Sequence, residues 1–433
     1  MDWGALAIIG GLLLVLMGAG FHIAFALGLA AFISFLLFVP GPAVFTVLGQ
    51  IAWAATNNFV MSAIPLFILM SQLLVTSGLT EDLFTAASAW VGRVPGSLLL
   101  ASNFACAAFA TCSGSSTATV AAIGGPSAAE MTKRGYDKKF SYGTLCTGGV
   151  LGILIPPSIP MIIYALFSGV SVGKLFMAGI VPGIILTFIF AIYIFLRSFF
   201  NPQLAPNAPS VSWKEKLSAS TRVLPIGLVV FAVLGTIYLG LATPTEAAAL
   251  GGVASLILCL VRRRLTMKKL MMALQETAVS SAMLIALLAC AFMFSFVVTK
   301  LRVANALVGM IVDANLGVWT VLLILYALYF VLGMFVDPVS MMILTLPTVL
   351  PALKTMGVDP LWFGVIMVVM IETALLTPPV GANLFIMQGI APDISMTDLI
   401  RGVIPYIILI FLLFLPLLNI FPQLALWLPK KMG

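Results

Sequence analysis

Charge is what this sequence has least of. Only 8% of its 433 residues are Asp, Glu, Lys or Arg, while 62% are hydrophobic. A water-soluble domain carries roughly a quarter charged residues to wet its surface, so a soluble globular protein is excluded. Histidine occurs once, as His22, and neither H-E-x-x-H nor C-x-x-C is found. The usual zinc and dithiol chemistries are thereby removed. Five cysteines, Cys106, Cys112, Cys146, Cys259 and Cys290, are scattered through apolar segments. That pattern describes small buried side chains rather than a disulfide framework or a metal site. Met1–Trp3 lacks a basic start and the first apolar run continues into a second, so no cleavable signal peptide is expected. Gly169–Lys174 follows a phosphate-loop pattern only faintly, being one residue short with Leu175 in place of the required Ser/Thr. An ATPase is excluded.

What is present is one apolar stretch after another. A helix needs about 20 apolar residues to cross the hydrocarbon core, whereas barrel strands show ~10-residue alternation, which is absent here. The fold class is therefore an all-α polytopic membrane protein. Spans are expected at 4–20, 22–39, 57–79, 140–166, 176–198, 223–241, 245–261, 275–298, 361–388 and 403–428. Two further stretches, 97–131 and 318–354, are broken by polar tips, Ser113-Gly114-Ser115-Ser116-Thr117 and Asp337-Pro338. Both read as re-entrant helical hairpins, since Gly and Pro interrupt a helix and free backbone groups that protein or ions must then satisfy.

The two halves match each other. Gly135-Tyr136-Asp137 pairs with Gly357-Val358-Asp359, and Pro156-Pro157 with Pro378-Pro379, both 222 residues apart. Gly179-Ile180-Val181-Pro182 pairs with Gly402-Val403-Ile404-Pro405. A duplicated unit with broken helices (140–166 and 361–388) is a secondary-transporter signature. Charge implies that the repeats are inverted. Placing the loop with Lys133, Arg134, Lys138 and Lys139 in the cytoplasm puts 15 of 21 Lys and Arg inside, against 6 the other way. The net charge of +7 follows from these loops, not from a nucleic-acid partner. Both termini then lie outside, which leaves Lys430 and Lys431 on the unfavoured side.

Ion and anion binding is the best-supplied chemistry. Half-helix N-termini attract anions, and their C-termini and unwound linkers offer carbonyl oxygens to Na⁺. Ser115, Ser116 and Thr117 add hydroxyls in the first half, and Thr377 and Asn383 add polar groups in the second. The double prolines remove N–H donors, so the carbonyls of Gly152 and Ile153, and of Ala374 and Leu375, are expected to lose helical partners. Asp337 and Glu372 are costly carboxylates in apolar surroundings. Asp337 either meets a ligand or caps the second hairpin arm; Glu372 either acts at a site or braces the broken helix. Glu246 is expected to start a helix. His22 opens the second span as a helix-end residue. An intramembrane protease, with a Ser of the 113–116 tip and His22 as base, is the enzymatic alternative, and nothing in the sequence pairs them.

These motifs resemble the large membrane subunit of tripartite ATP-independent periplasmic (TRAP) transporters. The likeness covers essentially the whole chain and rests on seven segments in order: Ala24–Gly28, Pro65–Met70, Ser113–Thr119, Gly152–Ser158, Thr243–Ala248, Asp359–Gly364 and Leu376–Gly381. Phe21-His22-Ile23 departs from it. The resemblance implies an inner-membrane importer of a small organic anion (a C4-dicarboxylate, another carboxylate or a sialic acid). A sodium gradient would drive it by an elevator motion. It implies two partners, a small four-span membrane subunit and a periplasmic substrate-binding protein. It implies one sodium site at Ser115, Gly152, Ile155 and Pro157, and a second at Gly333, Ala374, Thr377 and Val380. Substrate would meet Ser115, Ser116, Asp337 and Asn383. The chain divides accordingly into scaffold helices (1–80), transport repeat 1 (81–200), scaffold helices and basic loops (201–299) and transport repeat 2 (300–433). A stand-alone sodium–dicarboxylate symporter is the competing transporter reading, and a non-transporting scaffold the competing non-transporter one.

Overall fold

The computed structural model describes residues 3–38, 43–206, 212–334, 336–379 and 381–432, and all regular structure among them is helical. Seven helices there are long and apolar enough to cross a bilayer, or eight counting one bent pair.

Both stretches with polar tips are helical hairpins. In the first, Ser97–Ser113 ends at Gly114 in the left-handed region (φ 59°) and Ser116–Lys133 returns. In the second, Val318–Gly333 leads to Asp337, which caps Pro338–Thr355. Each hairpin is followed by an Asp-capped helix. The Asp137 side chain accepts from Phe140 N–H at 2.8 Å, and that of Asp359 from Leu361 N–H at 2.7 Å. An Asp at that position satisfies first-turn donors that have no intrahelical partner.

The helix from Lys138 breaks at the double proline and resumes as Ile159–Ser168, bent by 41°. Ser158 caps the new start by accepting from Met161 N–H at 3.4 Å. In the second half Pro360–Ala374 stops before Pro378-Pro379 and Ala382–Ile390 continues. Both Pro–Pro bonds are cis.

Small residues let these helices approach closely, as membrane packing requires. A Cβ on Gly364 would come within 2.7 Å of the Tyr164 ring, and one on Gly179 within 2.5 Å of Leu154 O. Met267–Lys300 packs along Ile23–Phe38 and Ala63–Thr76, where a Cβ on Gly28 would fall 2.8 Å from Cys290 Sγ. Capping boxes start Trp213–Tyr238 (Ser212 with Glu215) and Pro244–Val261 (Thr243 with Glu246), the latter as expected for Glu246.

Some expectations need correction. Ala43–Thr56, Leu79–Val91 and Val303–Asp313 are helices that the span reading did not contain. Each is too short to cross alone. Trp213–Tyr238 begins ten residues before the expected 223 because its capping box lies upstream. The expected span 403–428 starts and ends earlier. Met396–Ile420 ends at Phe421-Pro422, where Pro restricts the preceding residue, and Gln423–Lys430 turns back onto Val172–Phe200.

Candidate ion and substrate site

The first hairpin tip rests on the first break. A Cβ on Gly114 would fall 2.7 Å from Pro157 O, and Gly114 O accepts from Ile159 N–H at 3.4 Å. Gly152 lies against the same tip, where a Cβ would meet Ser115 O at 2.7 Å and Thr119 Oγ1 at 2.5 Å. Ser115, Gly152 and Pro157 are therefore neighbours, and Ile155, in extended conformation, precedes the double proline. Main-chain oxygens and hydroxyls converge there, and the buried Glu372 of the second half reaches the adjoining Ser116 and Ile153. Ser115 also caps its own helix, accepting from Ala118 N–H at 3.4 Å, and its hydroxyl meets Thr117 Oγ1 at 3.1 Å.

The second hairpin rests on the second break in the same manner. A Cβ on Gly333 would overlap that of Ala374 at 2.0 Å. Thr377, three residues on, is buried and donates its hydroxyl to Thr373 O at 2.7 Å, which leaves its lone pairs as acceptors. Val380, the fourth member of the expected second sodium set, lies outside the described residues. One expectation fails here. The carbonyls of Ala374 and Leu375 are not free, because they accept from Thr377 N–H at 3.0 Å and Asn383 N–H at 3.2 Å. The chain recovers, through a tight turn and a backward reach, bonds that Pro378 and Pro379 cannot make. Each carbonyl retains a second lone pair.

Among the four residues expected at the substrate, Ser116 and Asn383 are joined directly. The Asn383 amide donates to Ser116 Oγ at 2.9 Å and to Cys146 O at 3.1 Å, and both side chains are buried. Ser115 adjoins them in the chain. Asp337 does not join them; it is exposed and accepts from Ser340 N–H at 3.1 Å, the capping role held open for it. His22 is also exposed, with Nδ1 accepting from Ala24 N–H at 3.4 Å, so no Ser–His dyad forms. Among the described residues no group of three or more His, Cys, Asp and Glu could hold a metal ion, and the cysteines are free. The chemistry on offer is neutral oxygen at two helix breaks, with one buried carboxylate, Glu372, beside the first.

The family description "Tripartite ATP-independent periplasmic transporter, DctM component" matches residues 11–424. The chain belongs to this family. Its relatives include the C4-dicarboxylate TRAP transporter large permease protein DctM of Vibrio cholerae, 36% identical over 98% of this chain and 97% of that one. The protein of the same name from Pseudomonas aeruginosa is 36% identical over 94% of both. Other relatives are named for isethionate, ectoine and sialic acid. The solved YdaH transporter of Alcanivorax borkumensis shares the fold, with a TM-score of 0.63 at 16% identity over 89% of each chain. The protein is thus a multi-pass TRAP large permease and not an enzyme.

Two features of this permease escaped the sequence reading. A cavity of about 570 Å³ opens between the first hairpin, Leu79–Val91 and Trp213–Tyr238, lined in part by Glu81, Glu130, Arg134, Glu215 and Arg222. Its charged residues lie far apart in sequence, and only the fold assembles them. The other is a pair of ion links between halves: Lys138 with Asp393, and Lys139 with Asp398 at 3.3 Å. Asp393 lies in a loop, and the hydrogen bond from the Lys138 ammonium holds its carboxyl below the ordinary value.

Proposed function

We propose that this TRAP permease imports a small organic anion across the bacterial inner membrane, driven by sodium. The observation that carries the reading is the seating of the first hairpin tip on the first break and of the second hairpin's first arm, at Gly333, on the end of Pro360–Ala374. Carbonyl and hydroxyl oxygens collect there, in a space too dry for unpaired charge, and such oxygens suit Na⁺. Ser115, Gly152, Ile155 and Pro157 would hold one ion; Gly333, Ala374, Thr377 and Val380 would hold the other. The anion would sit beside Ser115, Ser116 and Asn383.

Reciprocal contacts support inverted repeats. Gly143 of the first broken helix meets Gly402 of the second closing helix, while a Cβ on Gly364 of the second broken helix would fall 2.8 Å from Leu175 of the first closing helix. Lys138 pairs with Asp393 after the second broken helix, and Lys354 Nζ donates to Ser168 O at the end of the first, at 3.2 Å. The hairpins and broken helices would move together as an elevator against the scaffold helices, and the charged cavity lies along that boundary. Permease names covering dicarboxylate, ectoine, isethionate and sialic acid support a carboxylate or similar small solute. A tripartite system needs a small membrane subunit and a periplasmic binding protein. The fused isethionate relative, only 61% of whose length this chain covers, fits the first.

Proteoliposomes test the reading. Uptake should require an inward sodium gradient, the small subunit and the ligand-loaded binding protein together. Sodium-independent uptake would overturn the coupling. Sodium-driven uptake by this chain alone would favour a stand-alone symporter.

A further inference from the structure

The two sodium sets and the substrate group leave Glu372 without a role. It lies wholly buried on Pro360–Ala374, and neither carboxylate oxygen has a hydrogen-bond partner. The Ser116 hydroxyl and the Ile153 N–H, both from the first half, are its polar neighbours. Asn383, which donates to Ser116, is also wholly buried and has an unpartnered Oδ1. Among the described residues no Lys, Arg or His pairs with the carboxylate. The two carboxylate oxygens and Asn383 Oδ1 are therefore buried acceptors close to Ser116, none with a well-formed hydrogen bond, the Ser116 hydroxyl and Ile153 N–H being the donors nearest the carboxylate. Buried acceptors need a positive partner, and an isolated buried carboxylate needs one most.

The matching positions of the first half argue against a plain architectural need. The positions 222 residues earlier are Val150 and Met161, both apolar. Had the broken-helix fold required these polar groups, the first half would carry them as well. They occur once, where the second half reaches the first hairpin tip.

We propose that Glu372, with Asn383 Oδ1 and Ser116 Oγ, forms a further site for a monovalent oxygen-preferring cation, Na⁺ here, separate from the two neutral-oxygen sites. This rests on the sodium-coupled reading. The cation neutralises the only wholly buried carboxylate among the described residues and ties the second broken helix to the first tip, so the pair crosses the bilayer as a neutral unit.

Binding of ²²Na⁺ to the purified complex of this permease with its membrane partner tests the site. Wild type should bind sodium saturably, and Glu372→Gln should bind one ion fewer while Ser116→Ala, which removes one neutral oxygen ligand, weakens one class of site at least about tenfold. If both variants retain the wild-type count and affinity, the Glu372 site is wrong and the coupling reading stands. If wild type itself binds no sodium, both fall. Should Glu372→Gln not assemble, Ser116→Ala and Asn383→Leu decide: unchanged sodium affinity in those two overturns the proposal.

Discussion

Gly143 and Gly402 stand backbone to backbone: a Cβ on Gly143 would fall 2.5 Å from the Gly402 carbonyl carbon, and one on Gly402 would fall 2.4 Å from Lys139 O. The neighbours on both sides are main chain, so relief requires a helix to shift. Gly143→Ala should lower thermal stability by about 1–3 kcal/mol, the usual cost of overpacking a tight contact. Gly402→Ala should do the same. The double variant should cost less than the sum, because helices already forced apart have room for the second methyl. Melting of detergent-purified protein checks this, and strict additivity would show that the two glycines do not share one contact.

The same contact shows what a sequence conceals. The double prolines announced both breaks, because a residue without an N–H cannot continue a helix. Asp137 and Asp359 were legible as members of a recurring Gly-x-Asp loop, and the 222-residue offset between the halves pointed to a duplication. Such signals are local or periodic. Asn383 was recognisable as polar, but its partner Ser116 lies 267 residues away, and nothing nearby in the chain identifies it. Leu79–Val91 was missed for another reason: a search for long apolar runs passes over a short helix that starts with Glu81 and Asp82 and lies between Gly78 and Gly92. Glu372 stood out early because a carboxylate within an apolar helix is costly, yet only the assembled fold reveals that its oxygens lack partners.

Asn383 links the halves through Ser116 and Cys146. Asn383→Ala should leave the Cys146 carbonyl and the Ser116 hydroxyl without their donor, at about 1–3 kcal/mol for buried groups so stranded. Asn383→Gln restores the amide on a longer stem and should not recover the stability, since the pocket fits the shorter side chain. A wild-type melting temperature for Asn383→Ala would show that the bridge carries no stability.

Gly114 combines a left-handed backbone (φ 59°) with a tight seat, 2.7 Å from Pro157 O to the position a Cβ would take. Gly114→Ala should cost about 1–2 kcal/mol for the backbone alone, and the clash should lift the tip off the break. Gly135 is the control, because it has φ 72° and open space where a Cβ would go. Gly135→Ala should carry only the backbone cost and keep sodium-dependent uptake, whereas Gly114→Ala should lose most of it. Equal uptake by the two variants would mean that tip seating is irrelevant to transport.

Asp393 gives a pH signature outside the spans. Its carboxyl is held below the ordinary value near 3.8 by the Lys138 hydrogen bond, so the folded form favours the ionised state. The resulting stability is fully present above the ordinary value and is lost as pH falls through the depressed one. Asp393→Asn should therefore flatten the acid limb of the melting curve below about pH 4 and leave neutral pH nearly unchanged, since exposed pairs contribute little there. An identical acid limb in the variant would assign it to other groups.

Ser115 and Thr377 separate ion binding from folding. Ser115 caps its helix, so Ser115→Ala should cost about 1 kcal/mol whether or not sodium binds. Thr377 donates to Thr373 O, a bond that a serine can repeat, so Thr377→Ser should preserve both folding and the lone pairs offered to an ion. Sodium dependence is the discriminating measurement. Ser115→Ala and Thr377→Ala should each raise the sodium concentration for half-maximal uptake at least about tenfold, the worth of roughly 1.4 kcal/mol. Thr377→Ser should stay near wild type. If both alanine variants keep the wild-type sodium curve after correction for folded protein, their hydroxyls are not ligands. The ions would then be held by main-chain carbonyls alone or would bind elsewhere.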